Sequence, residues 1–198
     1  MIELIIIFAL TYFVAAIPSG YWMAQAFGIN LTEEGSGSTG ATNVLRLVGK
    51  WQAGVVLTVD ILKGFLPIFY TKDYLLESAN PWLLFLLSML PILAHSKSIY
   101  IGFRGGKSSA TGLGVLLALN PAVALFTVAI WSLVVFKSGY SSLGSIVAVP
   151  LVPIWLWIFG ESLPVIAFGL VAFVYIVLVK HRANIMRLVK GEEYNFKK

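Results

Sequence analysis

Long apolar runs alternate with short polar segments along this chain. The apolar runs cover residues 4–27, 51–70, 80–94, 113–136, 143–159 and 163–179. A helix needs about 20 apolar residues to cross the hydrocarbon core of a bilayer, where every backbone polar group must be paired within the protein. The pattern therefore predicts an all-α integral membrane protein. Because Glu3 stands where a signal peptide is basic, we expect the first run to be a retained span.

The run at 113–136 has two interpretations. Its length suits one span, but Asn120 and Pro121 lie inside it. Proline cannot donate a backbone hydrogen bond, and it disfavours helix at the residue before it. The run therefore forms either one span or two short helices hinged at Asn120 and Pro121.

The basic residues decide between these interpretations. Lys and Arg prefer cytoplasmic loops, and consecutive loops lie on opposite sides of the membrane. With the loop at 28–50 inside, the loop at 95–112 is also inside. The C-terminal tail shares that side only if the number of spans is odd, and its cations are Lys180, Arg182, Arg187, Lys190, Lys197 and Lys198. A five-span arrangement would require 113–159 to cross once, which is too long.

We therefore predict seven transmembrane helices, some of them short, with the N-terminus outside and the C-terminus in the cytoplasm. All but two of the 14 lysines and arginines are then cytoplasmic. The exceptions are Lys72, in an outer loop with Asp73 and Glu77, and Lys63, inside a helix.

The composition agrees with one membrane domain over residues 1–198. Hydrophobic residues make up 59% of the chain and charged residues 12%, whereas soluble domains average about 25% charged. The net charge is +5, but the cations separate apolar runs and form no basic arm, so we expect no nucleic acid partner. The lack of cysteine excludes disulfides, thiolate metal ligands and a cysteine nucleophile. We expect neither a metal nor a cofactor.

Residues 35–46, the first loop, combine glycine, hydroxyl and amide residues ahead of a predicted helix. Glycine permits left-handed turns, and a Ser, Thr or Asn here is expected to cap the helix. Such a loop can bind an anion at the helix N-terminus, with Arg46 adding a bidentate contact. The alternative is a flexible linker. The candidate binding residues are Ser36, Gly37, Ser38, Thr39, Gly40, Asn43 and Arg46.

Residues 102–112, the second loop, contain Gly-Gly-Lys-Ser. A Walker loop is excluded because Ile101 stands where its first glycine is required and no strand precedes it. Glycine amides, a lysine and hydroxyls at the start of a short helix still suit an anion. The alternative is an ordinary basic cytoplasmic loop. The candidate residues are Gly105, Gly106, Lys107, Ser108 and Thr111.

Two further polar segments lie at 139–145 and 180–187. Ser142 belongs to a hydroxyl-rich turn, where a serine can equally be a helix cap. His181 and Asn184 are at i and i+3 and share a helix face, which Arg187 extends and Arg182 does not. The alternative for this basic helix is binding to anionic lipid headgroups.

Two charged residues lie within the second apolar run. Asp60 and Lys63 are at i and i+3, and an isolated charge at the centre of a membrane helix costs about 2.5–3.5 kcal/mol. We predict that they pair, as a structural feature rather than a substrate contact. His95 is expected to cap the third span near the site, and a general base is its less favoured role.

The polar segments, in this order, resemble the PlsY family of bacterial membrane acyl-phosphate:glycerol-3-phosphate acyltransferases. The resemblance covers nearly the whole chain. It is carried by GSGSTGATNVLR at 35–46, DILKG at 60–64, HSKSIYIGFRGGKSSATG at 95–112, SLGSI at 142–146 and HRANIMRLVKGEE at 181–193. Two positions depart from the family pattern, since Ser38 replaces the usual Asn and Ser108 the usual Gly.

The resemblance implies transfer of an acyl group from acyl phosphate to the 1-hydroxyl of sn-glycerol 3-phosphate. The products are 1-acylglycerol 3-phosphate (lysophosphatidic acid) and phosphate, in the first step of phospholipid biosynthesis. It also implies a multi-pass protein of the bacterial inner membrane with its active site facing the cytoplasm. Functional coupling to an enzyme that produces acyl phosphate follows as a further expectation.

Roles for the candidate residues follow from the resemblance. Lys107 and the two glycine-rich loops are expected to hold the acyl-phosphate headgroup, although the two substrate phosphates could be exchanged. Arg46, Ser142, His181 and Asn184 are expected to orient glycerol 3-phosphate, and Lys107, His181 and Ser142 are the catalytic candidates. Because phosphate is a good leaving group, direct attack by the hydroxyl suffices. The proton of the attacking hydroxyl goes either to His181 or to a substrate phosphate.

Other mechanisms and functions fit the sequence less well. An H-x4-D acyltransferase motif is absent, since Tyr100 and Met186 stand five residues after the two histidines. Asp60 and Asp73 are the only aspartates, and neither lies in a motif suited to a Ser-His-Asp triad. A transporter of a phosphorylated solute would show related halves around broken helices at the midplane. A lipid-binding scaffold is the third and weakest possibility.

Overall fold

The computed structural model describes residues 1–76 and 80–197. Glu77 and Lys198, which the predicted topology placed in the outer loop and the C-terminal tail, lie outside the described residues. Over the described ranges the secondary structure is helical, with one isolated bridge between Ser98 and Arg104 and no strand. The chain divides into two compact units, Met1–Leu119 and Asn120–Lys198. The prediction of one membrane domain stays a prediction.

The described residues of the first unit form six α-helices. They are α1 (Ile2–Ala15), α2 (Ser19–Gln25), α3 (Ala41–Leu47), α4 (Lys50–Leu76), α5 (Trp82–Ser96) and α6 (Ser109–Leu119). A short 3₁₀ turn, Ile99–Ile101, follows α5. The first apolar run is thus two helices rather than one continuous helix.

Pro18 explains the break between α1 and α2. It has no N–H to continue the helical ladder, and nearby carbonyls turn to other donors. The carbonyl of Ala16 accepts a hydrogen bond from Ser98 Oγ at 2.6 Å, and that of Ile17 accepts one from Lys63 Nζ at 2.7 Å. The interruption therefore becomes an attachment point for α4 and for the segment after α5.

Helices α4 and α6 pack backbone against backbone. A Cβ atom on Gly64 would overlap the carbonyl oxygen of Thr111, and one on Gly114 would overlap the carbonyl oxygen of Ile61. Small residues allow this close approach in membrane proteins, where lipid provides no hydrophobic drive for helices to associate. The contact fixes the start of α6, and hence the second loop, relative to α4.

Residues 120–197, the described part of the second unit, form five α-helices. They are α7 (Pro121–Ser138), α8 (Ser141–Ala148), α9 (Val152–Ile158), α10 (Leu163–Phe173) and α11 (Arg182–Lys190). A 3₁₀ turn, Val149–Leu151, joins α8 to α9, and a π-helical segment, Val174–Lys180, continues α10.

The predicted hinge at Asn120 and Pro121 is confirmed. Pro121 is the first residue of α7, and the Asn120 side chain caps this helix by accepting a hydrogen bond from Val123 N at 3.0 Å. Proline suits the first helical position because that N–H has no helical partner. The expectation that both halves are short is wrong, since α7 has 18 residues and only α6, with 11, is short.

The protein is a multi-pass membrane protein. Among the described residues, five helical stretches are long and apolar enough to cross a bilayer: Ile2–Gln25, Lys50–Leu76, Pro121–Ser138, Ser141–Ile158 and Leu163–Lys180. Two shorter apolar helices are Trp82–Ser96 and Ser109–Leu119. Large apolar side chains such as Phe136 and Trp157 are exposed, as expected for surfaces that face lipid. The count of seven spans depends on the two shorter helices and stays a prediction.

We expect Gly114→Ala to destabilise the protein by about 1–3 kcal/mol, because the added methyl group overpacks the α4–α6 contact. Gly54→Ala is the matched control, since a Cβ on Gly54 of α4 has nothing within 4 Å. Thermal unfolding of both variants in detergent measures the effect. Equal stability of the two variants would contradict the close helix contact.

Candidate active site

The first loop is shaped by two glycines and one buried asparagine. Gly35 and Gly37 have positive φ angles of 62° and 67°, which glycine adopts without strain. Asn43 is only 1% exposed. Its Oδ1 accepts a hydrogen bond from Ser36 N at 3.0 Å, and its Nδ2 donates one to the Glu34 carbonyl at 3.1 Å. Both polar ends of Asn43 therefore hold the loop backbone.

The expected side-chain cap of the following helix is wrong. Helix α3 begins at Ala41, and its N-cap is Gly40, which has no side chain to offer. Asn43 lies inside α3 and reaches back to the loop instead. Ser36, Ser38 and Gly37 remain wholly or partly accessible at the loop surface. These positions can reach a substrate without unfolding the loop.

The second loop packs tightly against the C-terminal end of α5. A Cβ on Gly105 would overlap the His95 carbonyl oxygen, and a Cβ on Gly106 would overlap His95 Nε2. Gly106 N also donates a hydrogen bond to the His95 carbonyl at 3.3 Å. Glycine is needed at both positions so that the loop backbone can approach His95 closely. From the sequence alone, we had explained these glycines only by anion binding.

Ser108 adopts a backbone conformation that most residues avoid. Its φ is +66°, and its Oγ donates a hydrogen bond to the Ile92 carbonyl at 2.7 Å. A left-handed conformation costs a side-chain-bearing residue about 1–2 kcal/mol, which gives a physical reason for glycine at this position in the family pattern. The hydroxyl hydrogen already has an acceptor, so contact between Ser108 and substrate stays a prediction.

The start of α6 offers several hydrogen-bond donors beside Lys107. Helix α6 begins at Ser109, and the first N–H groups of a helix have no partner within it. Ser109 Oγ and Thr111 Oγ1 are buried and have no hydrogen-bond partner among the described residues. Lys107 is half-buried and immediately precedes Ser108 in the chain. Donors, a cation and the positive end of a helix dipole together suit a phosphate group.

In the second unit, Glu193 collects hydrogen bonds from three side chains. Its Oε1 accepts from Ser142 Oγ at 3.0 Å and from Asn184 Nδ2 at 2.7 Å, and its Oε2 accepts from Arg187 Nε at 2.7 Å. The cluster joins the first turn of α8 to α11. As predicted, Asn184 and Arg187 share a face of α11 and Arg182 is exposed, but His181 precedes this helix instead of lying within it.

The environment of Glu193 favours its charged form. Burial raises the pKa of its carboxyl group, but the hydrogen bonds from Asn184, Arg187 and Ser142 and the charge of Arg187 together lower the pKa below its ordinary value. Glu193 was not among the predicted site residues. It closes the C-terminal motif, but its burial depends on tertiary contacts that the sequence does not display.

A carboxylate can only accept hydrogen bonds, so Glu193 fixes the orientation of its neighbours. The Asn184 amide must turn its NH₂ towards Glu193, which leaves Oδ1 on the side away from Glu193. Asn184 Oδ1 is buried and has no hydrogen-bond partner among the described residues. Asn184 can therefore accept a hydrogen bond from a hydroxyl group.

The π-helical segment sets the position of His181. The His181 N–H donates to the Ile176 carbonyl at 3.1 Å, and Nδ1 of the same residue lies 2.8 Å from that oxygen. A carbonyl can only accept, so Nδ1 carries the hydrogen and Nε2 holds the lone pair when the imidazole is neutral. Single π turns are frequent at functional sites. Nε2 is thus the atom of His181 that is suited to chemistry.

The fold is that of an integral membrane acyltransferase. The structure superimposes on PlsY, an integral membrane glycerol 3-phosphate acyltransferase, in its glycerol 3-phosphate form, with a TM-score of 0.92 and 34% identity over 98% of this chain and 96% of that one. The lysophosphatidic acid form of PlsY gives a TM-score of 0.87 and 32% identity, over 98% of this chain and 95% of that one.

Comparison with sequence relatives indicates the same family. The profile of the family described as "Glycerol-3-phosphate acyltransferase" matches residues 5–191. The glycerol-3-phosphate acyltransferases of Thermosynechococcus vestitus and Desulfotalea psychrophila are 43% and 41% identical, covering 93% and 96% of this chain and 90% and 96% of theirs. The chain belongs to the glycerol-3-phosphate acyltransferase (PlsY) family. It is an acyltransferase, and a place in phospholipid biosynthesis follows from the family.

We expect Glu193→Gln to lower the stability of the protein by about 1–3 kcal/mol, because hydrogen bonds to a charged acceptor are lost or weakened. Glu192→Gln is the matched control, since Glu192 is the exposed neighbour. Thermal unfolding in detergent compares the two variants. Equal losses would mean that the cluster adds nothing beyond a surface charge.

The same residue predicts a dependence on pH. Because the Glu193 pKa is lower in the folded protein than in the unfolded chain, its contribution to stability is complete above the ordinary glutamate pKa and is lost as the pH falls through the lowered value. Glu193→Gln should lack this part of the acid dependence. An identical acid profile in the variant would refute the assignment.

Two substitutions at Ser108 separate backbone strain from hydrogen bonding. Ser108→Ala loses the bond to the Ile92 carbonyl and keeps the strain of the positive φ, whereas Ser108→Gly loses the bond and relieves the strain. We expect the glycine variant to be more stable than the alanine variant by about 1 kcal/mol. Chemical or thermal unfolding of the pair measures the difference. A more stable alanine variant would show that the left-handed conformation is not strained.

Proposed function

We propose that this enzyme uses acyl phosphate as its acyl donor. The 1-hydroxyl oxygen of sn-glycerol 3-phosphate attacks the acyl carbon, the bond from that carbon to the phosphate oxygen breaks, and inorganic phosphate leaves. The product is 1-acylglycerol 3-phosphate. An acyl phosphate is already activated, so no covalent intermediate is required, in keeping with a chain that has no cysteine.

The observation that supports this proposal is the set of hydrogen-bond donors at the start of α6. Lys107, the first N–H groups of the helix and the unpaired hydroxyls of Ser109 and Thr111 form a set of donors suited to a phosphate group. A phosphate held by such donors is stabilised further as negative charge develops on it during departure. We assign this loop, with Gly105 and Gly106, to the acyl-phosphate headgroup.

The first loop is assigned to the same headgroup. Ser36, Gly37, Ser38, Thr39 and Gly40 supply its backbone and hydroxyl donors. Asn43 shapes this loop by bonding to its backbone and is assigned a positioning role.

The second substrate is assigned to Arg46, Ser142, His181 and Asn184. Arg46 offers its guanidinium to the phosphate of glycerol 3-phosphate. Ser142 donates its hydrogen to Glu193, so its oxygen can accept a hydrogen bond, as can Asn184 Oδ1. Both acceptors suit glycerol hydroxyls rather than a phosphate.

The proton of the attacking hydroxyl has two possible acceptors. His181 Nε2 holds a lone pair when the ring is neutral, because Nδ1 is bonded to the Ile176 carbonyl. A phosphate oxygen of either substrate is the other acceptor. In both cases catalysis comes mainly from holding the hydroxyl against the acyl carbon and stabilising the developing charge.

The proposed topology has seven membrane helices in one domain, with the two short apolar helices α5 and α6 also crossing. The N-terminus is outside, and the C-terminus and the active site face the cytoplasm. The distribution of Lys and Arg supports this orientation, and a bacterial inner membrane is the proposed location. Because acyl phosphates combine a long chain with a reactive headgroup, we propose functional coupling to an enzyme that produces them.

Reconstituted protein tests the donor directly. With acyl phosphate and glycerol 3-phosphate as the sole substrates, and with no acyl-CoA or acyl carrier protein, we expect lysophosphatidic acid and phosphate in equal amounts. Activity with acyl-CoA alone, and none with acyl phosphate, would overturn the donor assignment.

The same assay tests the second loop. We expect Lys107→Ala to lower kcat/KM about 10²–10³-fold, because a group that stabilises developing charge is removed. Lys97→Ala is the matched control, since Lys97 is an exposed cation between the same two helices. Size-exclusion chromatography in detergent shows whether both variants are folded. Activity of Lys107→Ala close to that of the control would remove Lys107 from the site.

A further inference from the structure

A short segment after α11, residues 193–197, lies against the C-terminal end of α7, and we call it the strap. Three consecutive residues of the strap each donate a hydrogen bond to one of three consecutive carbonyls at that helix end. The bonds are Asn195 Nδ2 to Ser138 O at 3.0 Å, Phe196 N to Gly139 O at 2.9 Å and Lys197 Nζ to Lys137 O at 2.9 Å. The last carbonyls of a helix have no partner within it, so the strap supplies donors that α7 lacks.

Asn195 packs directly on the residue that ends α7. Its Oδ1 accepts a hydrogen bond from Lys197 N at 2.8 Å, so both ends of its amide are used and the orientation of the side chain is fixed. Gly139 ends the helix in a left-handed conformation, with a φ of 78°, and a Cβ atom there would overlap Asn195 Oδ1. Glycine is therefore needed at this position both for the turn and for the approach of Asn195.

The strap is attached to the connection between α7 and α8 at a second point. Glu193, its first residue, accepts the hydrogen bond from Ser142 in the first turn of α8. Helix α11 ends at Lys190, three residues before Glu193, so this helix alone does not place the carboxylate. The position of Glu193 depends on the turn that follows α11 and on the bonds that hold the rest of the strap.

We propose that Asn195 is a positioning residue for glycerol 3-phosphate. Its bond to the end of α7 fixes the strap, the strap fixes Glu193, and Glu193 orients Ser142 and Asn184. This inference rests on the proposed assignment of Ser142 and Asn184 to glycerol 3-phosphate. Asn195 itself needs no contact with the substrate.

Stability alone does not account for the strap. The end of α7 is accessible, since Lys137 is exposed, and water can satisfy the carbonyls of an exposed helix end. Hydrogen bonds that merely replace bonds to water add little net stability. A displacement of about 1 Å in the groups that position a substrate, in contrast, can reduce activity about 10²-fold. A positioning role therefore predicts a selective effect on glycerol 3-phosphate.

The first test compares the Michaelis constants for the two substrates. We expect Asn195→Ala to raise the KM for glycerol 3-phosphate about tenfold and to leave the KM for acyl phosphate within about twofold, because only the groups oriented by Glu193 are disturbed. Asn195→Asp should act in the same direction, since it keeps the acceptor for Lys197 N and loses the donor to the Ser138 carbonyl. Glu192→Ala is the matched control, because Glu192 is exposed and directly precedes the strap.

A purely structural role gives a different result. Partial unfolding lowers the amount of active enzyme, so the apparent kcat falls while both KM values stay the same. Unchanged KM values in both Asn195 variants, or equal changes for the two substrates, would therefore overturn the inference. A rise in the KM for glycerol 3-phosphate alone supports it.

A double-mutant cycle tests whether Asn195 acts through Glu193. Asn195→Ala is combined with Glu193→Gln, and the KM for glycerol 3-phosphate is measured for the parent, both single variants and the double variant. In the Glu193→Gln background, Asn195→Ala should raise this KM less than about threefold, because the cluster is already disturbed. Effects that simply multiply would refute the route through Glu193. If Asn195→Ala does not fold, the cycle built on Asn195→Asp decides, with coupling in the same direction.

Ser142→Ala and Asn184→Ala, measured in parallel, separate this inference from the proposed function. If neither variant raises the KM for glycerol 3-phosphate, the assignment of these two residues to that substrate is wrong, and the positioning role of Asn195 is wrong with it. If either variant raises this KM and the Asn195 variants do not, only the positioning role is wrong.

Discussion

A carboxylate buried in a membrane helix must find donors, and Asp60 finds them in Lys63 of its own helix and in Ser19 of α2. Lys63, one turn along α4, supplies a cation that also holds the Ile17 carbonyl, where Pro18 interrupts the helix. Ser19 of α2 supplies a hydroxyl, and its neighbour Gly20 packs directly against the Thr39 carbonyl of the first loop. The first loop thus packs against α2, which is hydrogen-bonded to Asp60. The side chain of His95, which packs against the second loop, lies near the same carboxylate.

Glu193 performs the corresponding task in the second unit. Both carboxylates are acceptors only, so each dictates which atoms of its neighbours point inward and which remain for another partner. In Asn184 the remaining atom is Oδ1, which can accept a hydrogen bond from a hydroxyl group. In Ser142 the hydroxyl hydrogen is used, and the lone pairs of its oxygen remain. A residue with no assigned substrate contact thereby determines the hydrogen-bonding character of residues that the proposed reaction assigns to glycerol 3-phosphate.

The sequence revealed the features that depend on local rules. The break at Asn120 and Pro121 follows from proline chemistry, and the Asp60–Lys63 pair follows from helical spacing and the cost of a lone charge in lipid. The role of Glu193 and the packing of Gly106 on His95 could not be predicted, because both depend on how the chain folds back on itself after a helix ends. The cap at Gly40 was mispredicted because Asn43 satisfies the loop from inside the helix rather than from its first position.

The proposed reaction requires no covalent chemistry from the protein itself. In the proposed reaction the donor is activated and has a good leaving group, so it needs no nucleophile on the enzyme. The rate enhancement then comes from placing two reactants and from donors aimed at the departing phosphate. Placement of this kind needs backbone close to backbone, which explains glycine where the second loop meets His95 and where α4 meets α6. It also needs rigid support, and charges buried between membrane helices provide it, because a buried carboxylate that loses its donors has no water to replace them.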